Sequence, residues 1–91
     1  MVIDITEESF EKEVLHHKGV VIVEFWAQWC GPCTIQGEIL DAFSRDVDKK
    51  RVKVGKIDVD SERHLVSEYQ IMSIPTIMVF DNGELIKREV G

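Results

Sequence analysis

The stretch from Val20 to Cys33, VVIVEFWAQWCGPC, decides the fold, because a strand-like run leads directly into a pair of cysteines. The first eight residues are apolar at both odd and even positions apart from one glutamate, which is typical of a strand covered on both faces in a parallel sheet. After the second cysteine Ile35, Ile39 and Phe43 recur every four residues, which predicts an amphipathic helix beginning near Pro32. The stretch therefore predicts a strand, a cysteine-bearing turn and a helix, in that order.

The remaining elements alternate around this unit. Before this unit, the pattern predicts an edge strand over Val2 to Ile5 and a helix capped by Thr6 and ended by Gly19. After it, the pattern predicts a strand over Val52 to Val59 and a short helix capped by Ser61. The last two strands, over Thr76 to Phe80 and Leu85 to Val90, are joined by the turn Asp81-Asn82-Gly83-Glu84. Strands separated by helices pair in parallel through right-handed crossovers, and the hairpin adds antiparallel pairing. We expect an α/β fold of order β-α-β-α-β-α-β-β, with a mixed central sheet and helices on both faces.

Composition limits the classes of partner. The chain of 91 residues is the size of one domain, which we expect to span residues 1–91. Its net charge of −6 argues against nucleic acid or an anionic membrane as the main partner, because both require a basic surface. The longest apolar run is far too short to cross a bilayer, and the acidic N-terminus is unlike a signal peptide. We therefore expect a cytoplasmic protein.

The chain contains two cysteines, Cys30 and Cys33, and their spacing suits redox chemistry. A disulfide over so short a loop adds little to stability, so the pair is chemical rather than structural. At the start of a helix Cys30 lies beside free backbone N–H groups and the positive end of the helix dipole, both of which favour a thiolate. Cys30 is therefore the expected nucleophile, and Cys33, in the first helical turn, is the expected resolving thiol. Pro32 restricts the loop between them.

A metal site is the competing interpretation of the cysteine pair. Zinc normally takes four protein ligands, or three and a water molecule. The other candidate ligands, His16, His17 and His64, have spacings that fit no zinc finger. We therefore expect no metal, and surface positions for the histidines.

The stretch from Phe25 to Cys33 resembles the active-site segment of the thioredoxin family. The resemblance extends to Ile74-Pro75-Thr76, which matches the cis-proline loop of that family, to the hairpin Phe80 to Glu84, and to Val90-Gly91 at the end of the last strand. It implies a thioredoxin fold and a thiol–disulfide oxidoreductase, a general protein-disulfide reductase that passes through a mixed disulfide. The implied partners are disulfide-containing client proteins and a thioredoxin reductase, and no cofactor is implied beyond the redox-active cysteine disulfide.

The resemblance also implies roles for two charged residues. Glu24 stands where the family usually has aspartate, and we expect it to be a buried proton acceptor for Cys33, reached directly or through water. Lys56 matches its family partner and should lie on the neighbouring strand. Burial would raise the pKa of Glu24 and Lys56 would lower it, so the net direction is undecided. The alternative is that Glu24 faces solvent at the end of a strand.

The expected substrate surface surrounds the nucleophile. We expect Trp29 to be partly exposed and to form an apolar rim with Gly31, Pro32, Ile74 and the Val90-Gly91 segment, although a purely structural Trp29 is an alternative. The resemblance implies a cis peptide before Pro75, whose backbone would accept a client segment as an added strand. We expect Trp26 to be a core residue beneath the active-site loop.

Besides Glu24, the sequence departs from the family pattern at three places. Thr34 replaces a common basic residue, which should weaken thiolate stabilisation modestly, and Glu38 replaces a common proline, so the helix should run straighter. Family members continue past the position of Gly91 into a final helix, and this chain stops there. We therefore expect a domain truncated at its C-terminus, with one face of the strand Thr76 to Phe80 uncovered. Three interpretations of the uncovered face remain open. The chain is a shortened one, it associates with itself as a homodimer or through an exchanged segment, or it recruits a partner. Self-association is our hypothesis.

Two alternative functions remain. A thioredoxin-like binding or adaptor module with incidental cysteines would agree with the missing helix, but the intact WCGPC motif opposes it. An oxidant or isomerase of an oxidising compartment is opposed by the Gly-Pro dipeptide and by the lack of a signal peptide.

Overall fold

Five strands form one mixed sheet in the computed structural model, which describes residues 1–91. The strands are β1 (Val2–Asp4), β2 (Val20–Trp26), β3 (Val52–Asp58), β4 (Thr76–Asp81) and β5 (Glu84–Val90), and their spatial order is β1-β3-β2-β4-β5. Strand β3 runs parallel to β1 and β2, whereas β4 runs antiparallel to β2 and β5. The mixed sheet, the edge strand β1 and the hairpin are thus confirmed.

Three helical segments connect the strands. They are a π-helical segment (Glu11–Leu15), α1 (Gly31–Asp46) and α2 (Arg63–Glu68). The long helix α1 starts within one residue of its expected start at Pro32 and continues unbroken through Glu38. The chain therefore has the predicted α/β order.

The two predicted helix caps have different outcomes. The hydroxyl of Thr6 accepts a hydrogen bond from the Ser9 amide at 3.2 Å, as an N-cap does, but it caps a turn, and the first helical segment begins only at Glu11. The predicted cap of the later helix is wrong. Helix α2 begins after Glu62, without a side-chain cap, because the hydroxyl of Ser61 donates instead to the Glu62 carboxylate at 2.7 Å. Hydroxyl side chains have several local partners, so a serine or threonine near a boundary does not fix the first helical residue.

The main core lies on one face of the sheet. Strands β2 and β4 contribute Val21, Val23, Phe25, Met78 and Phe80. Val14 and Leu65 from the helical segments, with Phe10 just before Glu11, cover them. Tyr69 closes this layer, with its ring centroid 5.5 Å from that of Phe10 and 6.0 Å from that of Phe80. This packing fixes β2, and therefore the loop that follows it.

Helix α1 covers the other face, where it contacts β3 and β1, but its buried row differs from the expected apolar row. The buried residues are Cys33, Leu40 and Ser44, whereas Ile35, Ile39 and Phe43 are exposed. Each helical residue turns by about 100°, so Ile35 points about 200° away from Cys33. Since Cys33 faces the protein interior, the expected row must face outward.

Candidate active site

Cys30 and Cys33 lie where β2 leads into α1 and are joined as a disulfide, with their Cα atoms 5.3 Å apart. Cys30 is the N-cap of α1, and its Sγ accepts a hydrogen bond from the backbone N–H of Cys33 at 3.2 Å. Pro32 occupies the first turn, as expected. Both cysteines are buried, Cys30 slightly less than Cys33. The sulfur of Cys30 is thus held against the positive end of the helix, where a thiolate is stabilised.

Glu24 is buried in the middle of β2. Only 2% of its surface is exposed, so the alternative of a solvent-facing strand end is wrong. Its Oε2 atom has no hydrogen-bond partner. Burial raises the pKa of Glu24 from 4.5 to about 7, although the positive charge of Lys56 acts in the opposite direction. The carboxyl group therefore exchanges its proton near neutral pH.

A cavity of about 420 Å³ between α1 and the sheet brings Glu24, Cys33 and Lys56 together, because all three line it. Lys56 lies opposite Glu24 on the neighbouring strand, as expected, and its Nζ atom is 4.5 Å from the centroid of the Trp26 ring. Trp26 also lines the cavity, half-buried, and its indole nitrogen has no partner. Trp26 is therefore a wall of the cavity and not simply the core residue that we expected.

Sequence reasoning missed three residues on the helical wall of this cavity, Gly37, Glu38 and Asp41. A Cβ atom at Gly37 would lie 3.5 Å from Oε1 of Glu24, which is ordinary van der Waals contact, so this part of the helix lies directly beside the carboxylate. Helical spacing from Cys33 was the available signal for Gly37 and Asp41, which are four and eight positions later and lie near the same face.

The expected substrate surface surrounds the cysteines. Trp29 is 70% exposed, and its indole Nε1 donates to Oδ2 of Asp60 at 2.9 Å, a partner that the sequence did not reveal. Gly31 and Pro32 are exposed beside it. Ile74 lines the same groove as Trp29. Asp60 follows β3, whose carboxyl end lies beside that of the parallel β2, and this topology was the signal that could have found it.

The peptide bond between Ile74 and Pro75 is cis, which confirms the expectation. The Pro75 carbonyl accepts a hydrogen bond from the amide of Gly91 at 3.0 Å, so the end of the chain lies beside this loop. The backbone N–H and carbonyl of Ile74 form no hydrogen bond within the chain. Ile74 therefore presents a free donor and acceptor beside the groove.

The histidines lie apart from the cysteine pair. His16 and His64 are exposed and His17 is half-buried, and His16 lies 3.7 Å from the Glu11 carboxylate. No group of three or more His, Cys, Asp or Glu side chains is arranged to hold a metal ion.

The family model described as Thioredoxin matches residues 1–91. The chain belongs to the thioredoxin family. It is 47% identical over 88 residues to a thioredoxin of Rickettsia felis, covering 97% of this chain and 83% of the relative. It is 40% identical over 90 residues to a thioredoxin of Buchnera aphidicola subsp. Acyrthosiphon pisum, covering 99% and 82%, and 39% identical over 87 residues to one of Porphyra purpurea, covering 96% and 80%.

Membership of the thioredoxin family and the bonded cysteine pair together establish a thiol–disulfide oxidoreductase, acting as a protein-disulfide reductase. Its redox group is the cysteine pair itself. The family implies disulfide-containing client proteins and a reductase as partners. The adaptor alternative is not favoured, because the pair is intact and has disulfide geometry. None of the helices has the length and apolar character needed to cross a membrane.

Proposed function

We propose that Cys30 attacks client disulfides and that Cys33 completes the exchange. The observation that carries this assignment is the N-cap position of Cys30, whose Sγ accepts the Cys33 N–H. In the reduced protein the thiolate of Cys30 attacks one client sulfur, forms a mixed disulfide and releases the other client sulfur as a thiolate, which takes up a proton. Cys33 then attacks Cys30, displaces the second client thiolate and restores the internal disulfide. The client gains two electrons from the cysteine pair, and its two thiolates take up protons from the surrounding water or buffer.

Glu24 accepts the proton of Cys33 in the second step. Both line the cavity behind the disulfide, and the pKa of about 7 allows the carboxylate to take a proton at neutral pH. Water in the cavity is the connection we propose, because the space is large and polar groups line it. Lys56 tunes this acceptor, since its charge lowers the pKa that burial raises.

Client segments bind as an extended strand beside the loop before Pro75. The free N–H and carbonyl of Ile74 support this assignment, since added strands bind through backbone hydrogen bonds. Trp29, held by Asp60, forms an apolar wall of this site, and Gly31, Pro32 and Gly91 complete the rim.

The test is a pair of cysteine variants in an insulin-reduction assay with dithiothreitol. Cys30→Ser should be inactive, whereas Cys33→Ser should form a mixed disulfide that persists and can be isolated with its client. Turnover by Cys30→Ser at the parent rate would contradict the assignment, as would trapping of clients through Cys33 in that variant.

We also propose that the protein works in the reducing cytoplasm, where a reductase returns it to the dithiol. The support is a two-cysteine composition without a disulfide framework, together with thioredoxin relatives in bacteria. Rapid alkylation of intact cells should find mainly the dithiol. A predominantly oxidised pool in unstressed cells would contradict this proposal.

A third proposal concerns self-association. Ile35, Ile39 and Phe43 form an exposed apolar row on α1, and Ile77 and Val79 on the same face of the sheet are only half-buried. We propose that a second copy covers these residues, as a homodimer or through an exchanged segment, because contact between exposed apolar side chains removes apolar area from water. Sedimentation over a range of micromolar concentrations should show association, and a concentration-independent monomer would refute it.

A further inference from the structure

A continuous groove leads from the active-site rim across α2 to β5. Its near half, about 480 Å³, is lined by Trp29 and Ile74 beside the cysteines. Its far half, about 630 Å³, reaches Arg88 on β5. Arg63 and Met72 line both halves, so the two form one path along the surface.

The middle of the groove is apolar and open to solvent. Met72 is 91% exposed, although it belongs to the loop that leads to the cis peptide. Val66 and Ile71, both half-buried, line the groove beside Met72. An extended client segment that passes from Trp29 along the groove would lie against these apolar residues. An apolar client side chain is favoured at this point, because its contact with them removes apolar area from water.

The far half of the groove is positively charged in a protein whose net charge is −6. Arg63 and Arg88 line it, and no carboxylate does. Arg63 forms no ion pair or side-chain hydrogen bond, so all its donors are free. Arg88 donates through Nη2 to the carbonyl of Tyr69 at the end of α2, and its other donors remain available. The single carboxylate of the near half, Asp60, accepts from Trp29.

We propose that this groove selects client segments in which an apolar residue, and beyond it an acidic residue, flank the disulfide attacked by Cys30. The apolar side chain contacts Met72, and the carboxylate lies between Arg63 and Arg88. Charge complementarity indicates which client residue binds in the far half of the groove. Two guanidinium groups without internal acidic partners favour a carboxylate and disfavour a basic residue. This inference rests on the proposed attack by Cys30, and it adds a substrate class to it.

The experiment uses three peptides, each with one internal disulfide and one flanking arm, identical except for Glu, Gln or Lys at the distal position of the arm. Rates of reduction by the dithiol form of the full chain are followed by tryptophan fluorescence. At low ionic strength the Glu peptide should react roughly tenfold faster than the Lys peptide, with the Gln peptide between them. The ratio should fall as salt is added.

The decisive variant is Arg63→Gln/Arg88→Gln. It should bring the rates with the Glu and Lys peptides to within about twofold of each other. Arg63→Glu/Arg88→Glu should reverse the order. Lys49→Gln/Lys50→Gln, which removes two exposed positive charges before β3, is the matched control and should keep the parent preference. If loss of the Arg88 contact impairs folding, Arg63→Gln alone should still reduce the preference.

The outcomes separate the two proposals. Equal rates for all three peptides would overturn the substrate class and leave the attack by Cys30 intact. The same conclusion would follow if Lys49→Gln/Lys50→Gln removed the preference as fully as Arg63→Gln/Arg88→Gln does. Variants that change only the Michaelis constant for the reductase would also overturn it, because the arginines would then serve the reductase and not the client. Failure of the parent protein to reduce the Gln peptide would instead refute the proposed function.

Discussion

Glu24 and Lys56 are register partners on neighbouring parallel strands, yet no ion pair joins their side chains. The ammonium group of Lys56 lies over the Trp26 ring, and Oε2 of Glu24 has no hydrogen-bond partner. The lysine therefore offsets only part of the cost of burying the carboxylate, and the pKa of Glu24 is raised to about 7. The carboxyl group of Glu24, in the same cavity as the resolving cysteine, can therefore gain and lose a proton at physiological pH.

The first prediction concerns stability against pH. Because the pKa of Glu24 is raised from 4.5 to about 7, the folded state holds this proton to higher pH than the unfolded chain. The contribution of the protonated Glu24 carboxyl group to the free energy of unfolding is fully present below pH about 4.5 and is lost as pH rises to about 7. Relative to Glu24→Gln, the oxidised parent should lose at most about 3 kcal/mol over this range. Urea unfolding at a series of pH values measures the difference.

The matched control for this prediction is Glu84→Gln, which removes an exposed carboxylate at the hairpin. Its free energy of unfolding should follow the pH dependence of the parent. If the free energy of unfolding of Glu24→Gln also had the same pH dependence as that of the parent, the Glu24 carboxyl group would titrate at an ordinary pKa. Its proposed role would then have no support.

The second prediction concerns the release of product. In Glu24→Gln the attack by Cys30 should continue near the parent rate, whereas resolution by Cys33 should slow by roughly a hundredfold, because the proton acceptor is missing. The mixed disulfide should therefore accumulate, and quenched flow with alkylation and mass spectrometry would detect it. Glu24→Asp should restore much of the resolving rate. An equal slowing of both steps would indicate a structural effect.

The third prediction concerns Lys56. Its charge lowers the pKa of Glu24, so Lys56→Met, which removes the charge and keeps an unbranched side chain beside Trp26, should raise that pKa further. The pH midpoint of the resolving step should therefore shift upward from about 7. Lys53→Met, on the same strand but paired with Glu13 at 2.7 Å, provides the control. An unchanged or lower midpoint in Lys56→Met would contradict the assignment.

The fourth prediction concerns the hairpin between β4 and β5. Gly83 has a φ of 85°, and a Cβ atom there would collide with the backbone carbonyl of Leu15. Gly83→Ala should therefore lower the free energy of unfolding by at least about 1–2 kcal/mol. Gly31 has open space around its Cα, so Gly31→Ala should be nearly neutral in the same urea experiment. Equal stability of the two variants would show that the hairpin relaxes to admit a side chain.

Much of the fold was predictable because its signals are local. The Asn82-Gly83 turn has positive φ at both central residues, as the dipeptide predicts, and the apolar run of β2 is buried on both faces at its centre. The position of Cys30 at the start of α1 followed from the same local pattern. These features depend on neighbours in sequence, which the sequence displays directly.

The remaining features depend on distant contacts. The cavity behind Cys33 requires α1, β2 and β3 together, and the groove from Trp29 to Arg88 requires α2 and β5. The row of apolar residues on α1 was identified, but its orientation is set by Cys33, whose side chain must face the interior. Periodicity gives the existence of an apolar row, and only the tertiary arrangement decides which row is buried.

That outward row provides the last prediction. Phe43 lies with Ile35 and Ile39 on the exposed side of α1, and a charge within an apolar interface is costly because it must lose water without a partner. Phe43→Glu should therefore weaken self-association by at least about tenfold in sedimentation experiments. Met72→Glu, which adds the same charge at an exposed apolar residue in the client groove, should leave association unchanged. If both variants and the parent sediment as monomers at every concentration, the row does not bind a second copy.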